Sequence, residues 1–327
     1  MNDKEFNDAV GRLPKSIEPP RDLWPDIEAR INRGGWKGRR WYWVPLAAAA
    51  VLAGVWLVRS QPVSWDVTRL SGRPVVGTTA LTATGRLRVG DSLWTDDSSR
   101  ALIAVGKIGR VEVLPDSRVQ LVAARADEHR LALARGTIDA KVDAVPRLFF
   151  VDTPAGTAID LGCAYTLHTD SLGNGVLHVT GGEVEFQTGS RMARVPLGAF
   201  AQTRAAVGPG IPYVEDAPEP LIRALVAFDF DKGGARATRT ALAVARPQDA
   251  LSLWHLLQRV DPTLRALVYD RLASLVPPPP GVTRAAALAL DSRALEGYWT
   301  KIHRIHFRRM ILKGVKDIDP RTGTTVR

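Results

Sequence analysis

The hydrophobic positions along the chain change period three times, and the changes divide it. From Trp41 to Val58 (WYWVPLAAAAVLAGVWLV) there is no alternation, only eighteen consecutive residues without a formal charge. As a helix that run would extend roughly 27 Å, close to the ~30 Å hydrocarbon core of a bilayer. Trp41, Tyr42 and Trp43 stand at one end and Trp56 near the other, as amphipathic rings do at a headgroup boundary. Pro45 falls in the first turn, where a missing N–H costs little. A buried helix of a soluble protein rarely lacks charge for so long, and a secretory signal has a shorter basic lead. The pattern predicts one transmembrane helix over 41–58. Arg33, Lys37, Arg39 and Arg40 precede it and only Arg59 follows. The positive-inside rule therefore puts 1–40 in the cytoplasm and 59–327 across the membrane.

Over 63–214 the period falls to two. RVEVL (Arg110–Leu114) alternates, Pro115-Asp116-Ser117 turns, and RVQLV (Arg118–Val122) follows. Further runs are expected at Arg130–Ala134, Thr137–Val142, Leu148–Val151, Ala158–Leu161, Ala164–His168, Val176–Val179 and Glu183–Phe186. Gly173-Asn174-Gly175 and Thr180-Gly181-Gly182 are hairpin signals between them. Short strands at about ten-residue spacing, with no helices between, predict an antiparallel β-sandwich or rolled β-sheet. From 215 to 327 the period becomes helical. Helices are expected over Pro218–Phe230, Pro247–Val260, 261–276, Ala285–Leu290 and Ser292–Leu312. Asp261-Pro262 and Thr283 serve as their clearest openings. The fold class expected is thus a mainly β domain, one transmembrane helix and an all-α C-terminal region.

Residues 1–40 have too few apolar positions to close a core. In PPRDLWPDIEARI, however, Leu23, Trp24, Ile27 and Ile31 recur on one helical face. Such a face suits either a juxtamembrane helix or a helix that docks in a partner's groove.

The net charge of +10 is spread along the chain, with clusters before Trp41 and at Arg304–Arg309. Anionic headgroups account for the first cluster, so no direct nucleic-acid partner is expected. Cys163 is the single cysteine, which rules out an intrachain disulfide; its small apolar neighbours suggest burial. No G-x-S-x-G, H-E-x-x-H, P-loop or paired C-x-x-C is present. His303 and His306 share a helical face but lie among Arg304, Arg308 and Arg309, which would repel a metal ion. Asp152 and Asp160 flank a Gly-bearing segment with no third group to join them. The expectation is a non-enzyme without catalytic residues, metal or cofactor.

One segment carries a family resemblance. VDTPAGTAIDLGCAYTLHTD (Val151–Asp170) and NGVLHVTGGEVEF (Asn174–Phe186) resemble the periplasmic domain of FecR-like signal transducers and anti-sigma regulators. The matching residues are Thr153, Pro154 and Gly156 of a T-P-x-G turn, then Leu161-Gly162-Cys163, Tyr165 and Gly182-Glu183. The upstream piece Val105–Val122, with Gly109 and Pro115-Asp116-Ser117, is similar to the family's Gly-x-x-hydrophobic run ending in Asp/Asn-Ser, and the resemblance covers about Gly85 to Val207.

It implies a single-pass inner-membrane protein. Its N-terminal 1–40 would bind an extracytoplasmic-function (ECF) sigma factor through Leu23, Trp24, Ile27 and Ile31. Its periplasmic β domain would sense a signal from an envelope or outer-membrane partner. Two departures stand out: 1–40 has no His-x-x-x-Cys-x-x-Cys zinc motif, and the C-terminal region is helical where iron-uptake members carry a small mixed α/β domain. The alternative is an envelope structural protein whose β domain binds peptidoglycan or another envelope polymer, with 1–40 only an anchor.

Overall fold

Period-two alternation between Gly-bearing turns becomes a layered β structure in a computed structural model that describes residues 64–313. The strands begin with β1 (Ser64–Ser71), β2 (Val75–Val76), β3 (Thr79–Ala80), β4 (Thr84–Arg88), β5 (Ser92–Trp94) and β6 (Arg100–Val105). There follow β7 (Gly109–Val113), β8 (Arg118–Arg125), β9 (Glu128–Val142), β10 (Phe149–Thr153), β11 (Gly156–Asp160) and β12 (Ala164–Thr169). The set closes with β13 (Gly175–Gly181), β14 (Glu183–Thr188), β15 (Arg191–Pro196), β16 (Ala199–Arg204), β17 (Gly208–Pro209) and β18 (Tyr213–Val214).

One layer runs β4–β1–β6–β7–β9–β12–β13–β16, with β17 and β18 on β16. The other runs β3–β2–β5–β8–β9–β10–β11–β14–β15. Their inward positions form one core that includes Val67, Ile103, Leu121, Leu133, Phe149, Leu177 and Phe186.

The long strand β9 belongs to both layers. Its first half pairs with β8 and β10, its second half with β7 and β12. It turns between them at Gly136, whose φ is +94°. A Cβ there would collide with the backbone of Ser117. Ser117 is buried and accepts from Thr137 N at 2.8 Å, while its own N–H donates to Thr95 Oγ1 at 2.9 Å. The serine after β7 thus supplies polar groups that the bend leaves unpaired, bonding both Thr137 N and Thr137 O.

Six α-helices and one 3₁₀ turn (Pro247–Asp249) follow among the described residues: α1 (Glu219–Phe230), α2 (Gly234–Val244), α3 (Ala250–Arg259), α4 (Pro262–Leu275), α5 (Arg284–Leu288) and α6 (Ser292–Leu312). Asp261 and Thr283 accept from Thr263 N and Ala286 N and so cap α4 and α5. Every residue from Ala250 to Leu257 is buried, which makes α3 the axis of a second core. Around it pack Leu221, Leu225, Leu242, Val268, Leu272, Tyr298 and Trp299. Trp254 Nε1 donates to Leu295 O at 3.0 Å and Tyr298 Oη to Val276 O at 2.5 Å.

Two expectations about the fold need correcting. A membrane-spanning helix was expected beside the two folded regions. The described residues instead form a large β domain with a C-terminal helical region. Among the described residues no helix is long and apolar enough to cross a membrane. Even α6, with 21 residues, carries Arg293, Glu296, Lys301, Arg304, Arg308 and Arg309, too much charge for a hydrocarbon core. The stretch 41–58 itself lies outside the described residues. The second correction concerns strand direction: β9 and β10 pair in parallel, Phe149 opposite His129 and Val151 opposite Leu131. The chain returns to β9 through the loop 143–148 rather than by a hairpin, so the sandwich is mixed rather than purely antiparallel.

Candidate functional site

The family-like segment builds a crossing point. After β11 the chain passes between layers through Leu161-Gly162-Cys163, and after β13 it passes back at Gly182. The two crossings touch. Gly182, at φ +67°, lies so near Gly162 O and Cys163 that no side chain fits. Asp160 closes the first crossing: Oδ1 accepts from Gly162 N at 2.6 Å, and Oδ2 accepts from the Cys163 thiol. Burial pushes the Asp160 carboxyl up to about 7, against the lowering effect of those hydrogen bonds. Burial, with the Asp160 charge beside it, likewise holds the Cys163 thiol and the Tyr165 hydroxyl well above their ordinary values. Thr153 forms the T-P-x-G turn by donating to Gly156 O at 2.9 Å and accepting from Ala155 N at 3.2 Å. Leu161 and Gly162 are half-buried.

Glu183, next to Gly182, leads out of the motif toward the helices. Its Oε1 accepts from Arg194 Nε at 2.7 Å, and His303 Nε2 lies 3.4 Å from its Oε2. Arg194 also donates to Glu296 Oε2 at 2.8 Å and sits 4.7 Å over the Trp299 ring.

This junction is where the helical region seals the sandwich. Strand β15 is an edge, and an edge leaves backbone groups unpaired. His255 Nε2 accepts from Arg194 N at 3.0 Å while Nδ1 donates to Leu251 O at 2.8 Å. The ring is therefore neutral with its proton on Nδ1. Burial, reinforced by Arg259 and Arg194, pushes its pKa down to about 3. Arg259 donates to Met192 O at 2.7 Å, Pro209 O at 3.1 Å and Asp229 Oδ1 at 2.9 Å. Arg191 also bonds Asp229 and donates to Pro209 O at 2.7 Å. Asp229, with 1 % of its side chain exposed, completes its set by accepting from Ile211 N at 2.6 Å. A second anchor joins Asp216 to Arg309 and to Lys313 at 2.7 Å. Their hydrogen bonds hold its carboxyl below the usual range although burial opposes them. His306 donates from Nε2 to Leu197 O at 2.6 Å.

The arrangement fixes the position of the two folded regions through side chain-to-backbone bonds and buried charge. The Cys163 thiol and the Asp160 carboxyl are in contact, but both are buried and out of reach of a substrate. Asp152 bonds Arg130 at 2.6 Å and Thr157 at 2.7 Å and does not pair with Asp160. His303 and His306 point to different partners. No cluster of three or more His, Cys, Asp or Glu suited to a metal ion occurs among the described residues. Of the expected partner-binding residues, Leu23, Trp24, Ile27 and Ile31 lie outside the described residues. Asp229, His255, Arg259 and Arg194 were missed by sequence reasoning. The available signal was an ionisable residue inside an otherwise apolar helical run, as in LSLWHLL.

No protein-family model matches the chain, and no curated protein matches it in sequence. Two crystal structures of a "putative anti-sigma factor" from Parabacteroides distasonis ATCC 8503, at 1.65 and 2.50 Å, are similar to it at 14 % identity and a TM-score of 0.34. The likeness covers 41 % of this chain and 64 % and 63 % of those chains, so the chain spans less than two thirds of their length. At that distance it carries no argument about function.

Proposed function

We propose that the chain is an anti-sigma regulator that acts by binding rather than by catalysis. The observation that best supports this reading is the use made of the FecR-like segment. Its Leu-Gly-Cys and Gly-Glu elements form touching crossings between layers, and Glu183 continues from them into the joint with the helical region. A disturbance at either region would reach the other through that joint. In the proposal, residues 1–40 hold an ECF sigma factor on the cytoplasmic side through Leu23, Trp24, Ile27 and Ile31. Trp24 is the anchor, as Trp is enriched at binding hot spots. The β domain senses a signal on the envelope side of the inner membrane.

Co-purification with the tagged full chain tests the proposal. A sigma factor should be recovered with the native sequence and lost from Leu23→Ala/Trp24→Ala. Recovery of no sigma factor, or undiminished recovery by the variant, would sink it. Co-sedimentation of the chain with peptidoglycan would then favour the polymer-binding alternative.

A further inference from the structure

The last helix carries a surface that the anti-sigma reading leaves unused. In the second half of α6 the buried positions Ile302, His306 and Met310 face the cores, while Arg304, Ile305, Arg308, Ile311 and Leu312 are exposed. At 100° per residue, Lys301 and these five fall within about a third of the helix circumference. Ile305 is 46 % exposed, Ile311 49 % and Leu312 80 %. The nearby cations Arg309 and Lys313 are neutralised by Asp216, and Glu296 is engaged by Arg194. Lys301, Arg304 and Arg308 form no ion pair among the described residues. Beside the stripe an apolar groove of about 140 Å³ opens between α6, α3 and the end of α4, lined by Leu251, Val276, Ile302 and Ile305.

We propose that this end of α6 docks on an anionic phospholipid surface, its cations on the headgroups and its aliphatic residues in the interface. Three cations with no ion-pair partner among the described residues, interleaved with exposed aliphatic side chains on one convex helical stripe, make the pattern of interfacial helices. A specific protein partner would instead be gripped by aromatic or Arg anchors seated in pockets, whereas the stripe has no aromatic residue and its two arginines stand exposed on a convex face. The groove next to it can admit the end of an acyl chain.

A local reporter in the full chain tests the proposal. Cys163 is buried, so an environment-sensitive fluorophore on Leu312→Cys labels one site. Because the probe reads α6 itself, a membrane contact made elsewhere does not register. Vesicles of phosphatidylcholine with phosphatidylglycerol should blue-shift the probe, and phosphatidylcholine alone should not. Arg304→Gln/Arg308→Gln should raise the lipid needed for half the shift on the order of 25-fold, about fivefold per cation. Added salt should act in the same direction. The same probe on Asp127→Cys, on an exposed loop of the β domain, should stay unshifted. No shift at position 312 on phosphatidylglycerol vesicles would overturn the proposal. So would an equal shift on phosphatidylcholine alone, or one indifferent to loss of both arginines.

Discussion

Replacing Asp160 by Asn should make the protein more stable at neutral pH, although Asp160 accepts two hydrogen bonds. The carboxyl is 1 % exposed, and burial raises its pKa from an ordinary 3.8 to about 7. In the unfolded chain it ionises near pH 4, whereas the folded protein keeps it protonated until about pH 7. Below pH 4 both states hold the proton and nothing is lost. As pH rises from 4 to 7 the unfolded state releases a proton that the folded state retains, so stability falls by ~1.4 kcal/mol per pH unit. Across the window this amounts to roughly 4 kcal/mol. Asn has the same shape, keeps the acceptor for Gly162 N and cannot ionise. The assay is equilibrium urea unfolding of the native chain and Asp160→Asn at one-unit steps from pH 4 to 8, followed by near-ultraviolet circular dichroism. The variant's advantage should grow steadily from pH 4 to 7 and level off above. A difference that does not change with pH would refute the argument, because it would mean that Asp160 ionises alike in both states.

Two further outcomes follow from the joint. His255 is the mirror case: with its folded pKa held near 3, it binds no proton as pH falls below 6.5 while the unfolded chain does. It should therefore cost up to about 4–5 kcal/mol between pH 6.5 and 3, and His255→Gln, which can still accept from Arg194 N, should flatten that acid limb in the same urea series. Asp229→Asn leaves Arg191 and Arg259 without their buried counter-charge and should lose about 3–5 kcal/mol. Adding Arg259→Met should recover part of that loss in a double-mutant cycle, and a single-variant loss below ~1 kcal/mol would contradict the buried-charge reading.

What the sequence made legible follows from the range of the interactions. Local alternation marks Arg110–Val122 as two strands about a turn, and β7 and β8 lie there. Capping chemistry within three residues opens α4 at Asp261-Pro262 and α5 at Thr283. Where small residues stand at the contact positions the signal fades: α2 buries Ala237, Thr238, Ala241 and Leu242, and no apolar periodicity announced it. Arg130–Ala134 and Thr137–Val142 were expected as two runs, but they are the halves of a single β9 bent at Gly136, since only the second layer explains why the pairing continues beyond it. The joint was illegible for a related reason. Arg194 meets His255 and Arg259 meets Met192 across more than sixty residues of chain. Charged residues on helices such as Asp229 and Arg259 read locally as a solvated face.

The sealing of β15 by side chains has a consequence for chains at high concentration. A β edge closed by another strand can be copied by any strand of matching register, which is how swapped dimers and fibrils spread. Here a second molecule could reach Arg194 N and Met192 O only by evicting His255 and Arg259, and eviction takes from buried Asp229 one of its two arginines. The defence against polymerisation is thus coupled to the seating of α3. Damage to α3 should be felt first as runaway association between molecules, and only afterwards as a softer fold.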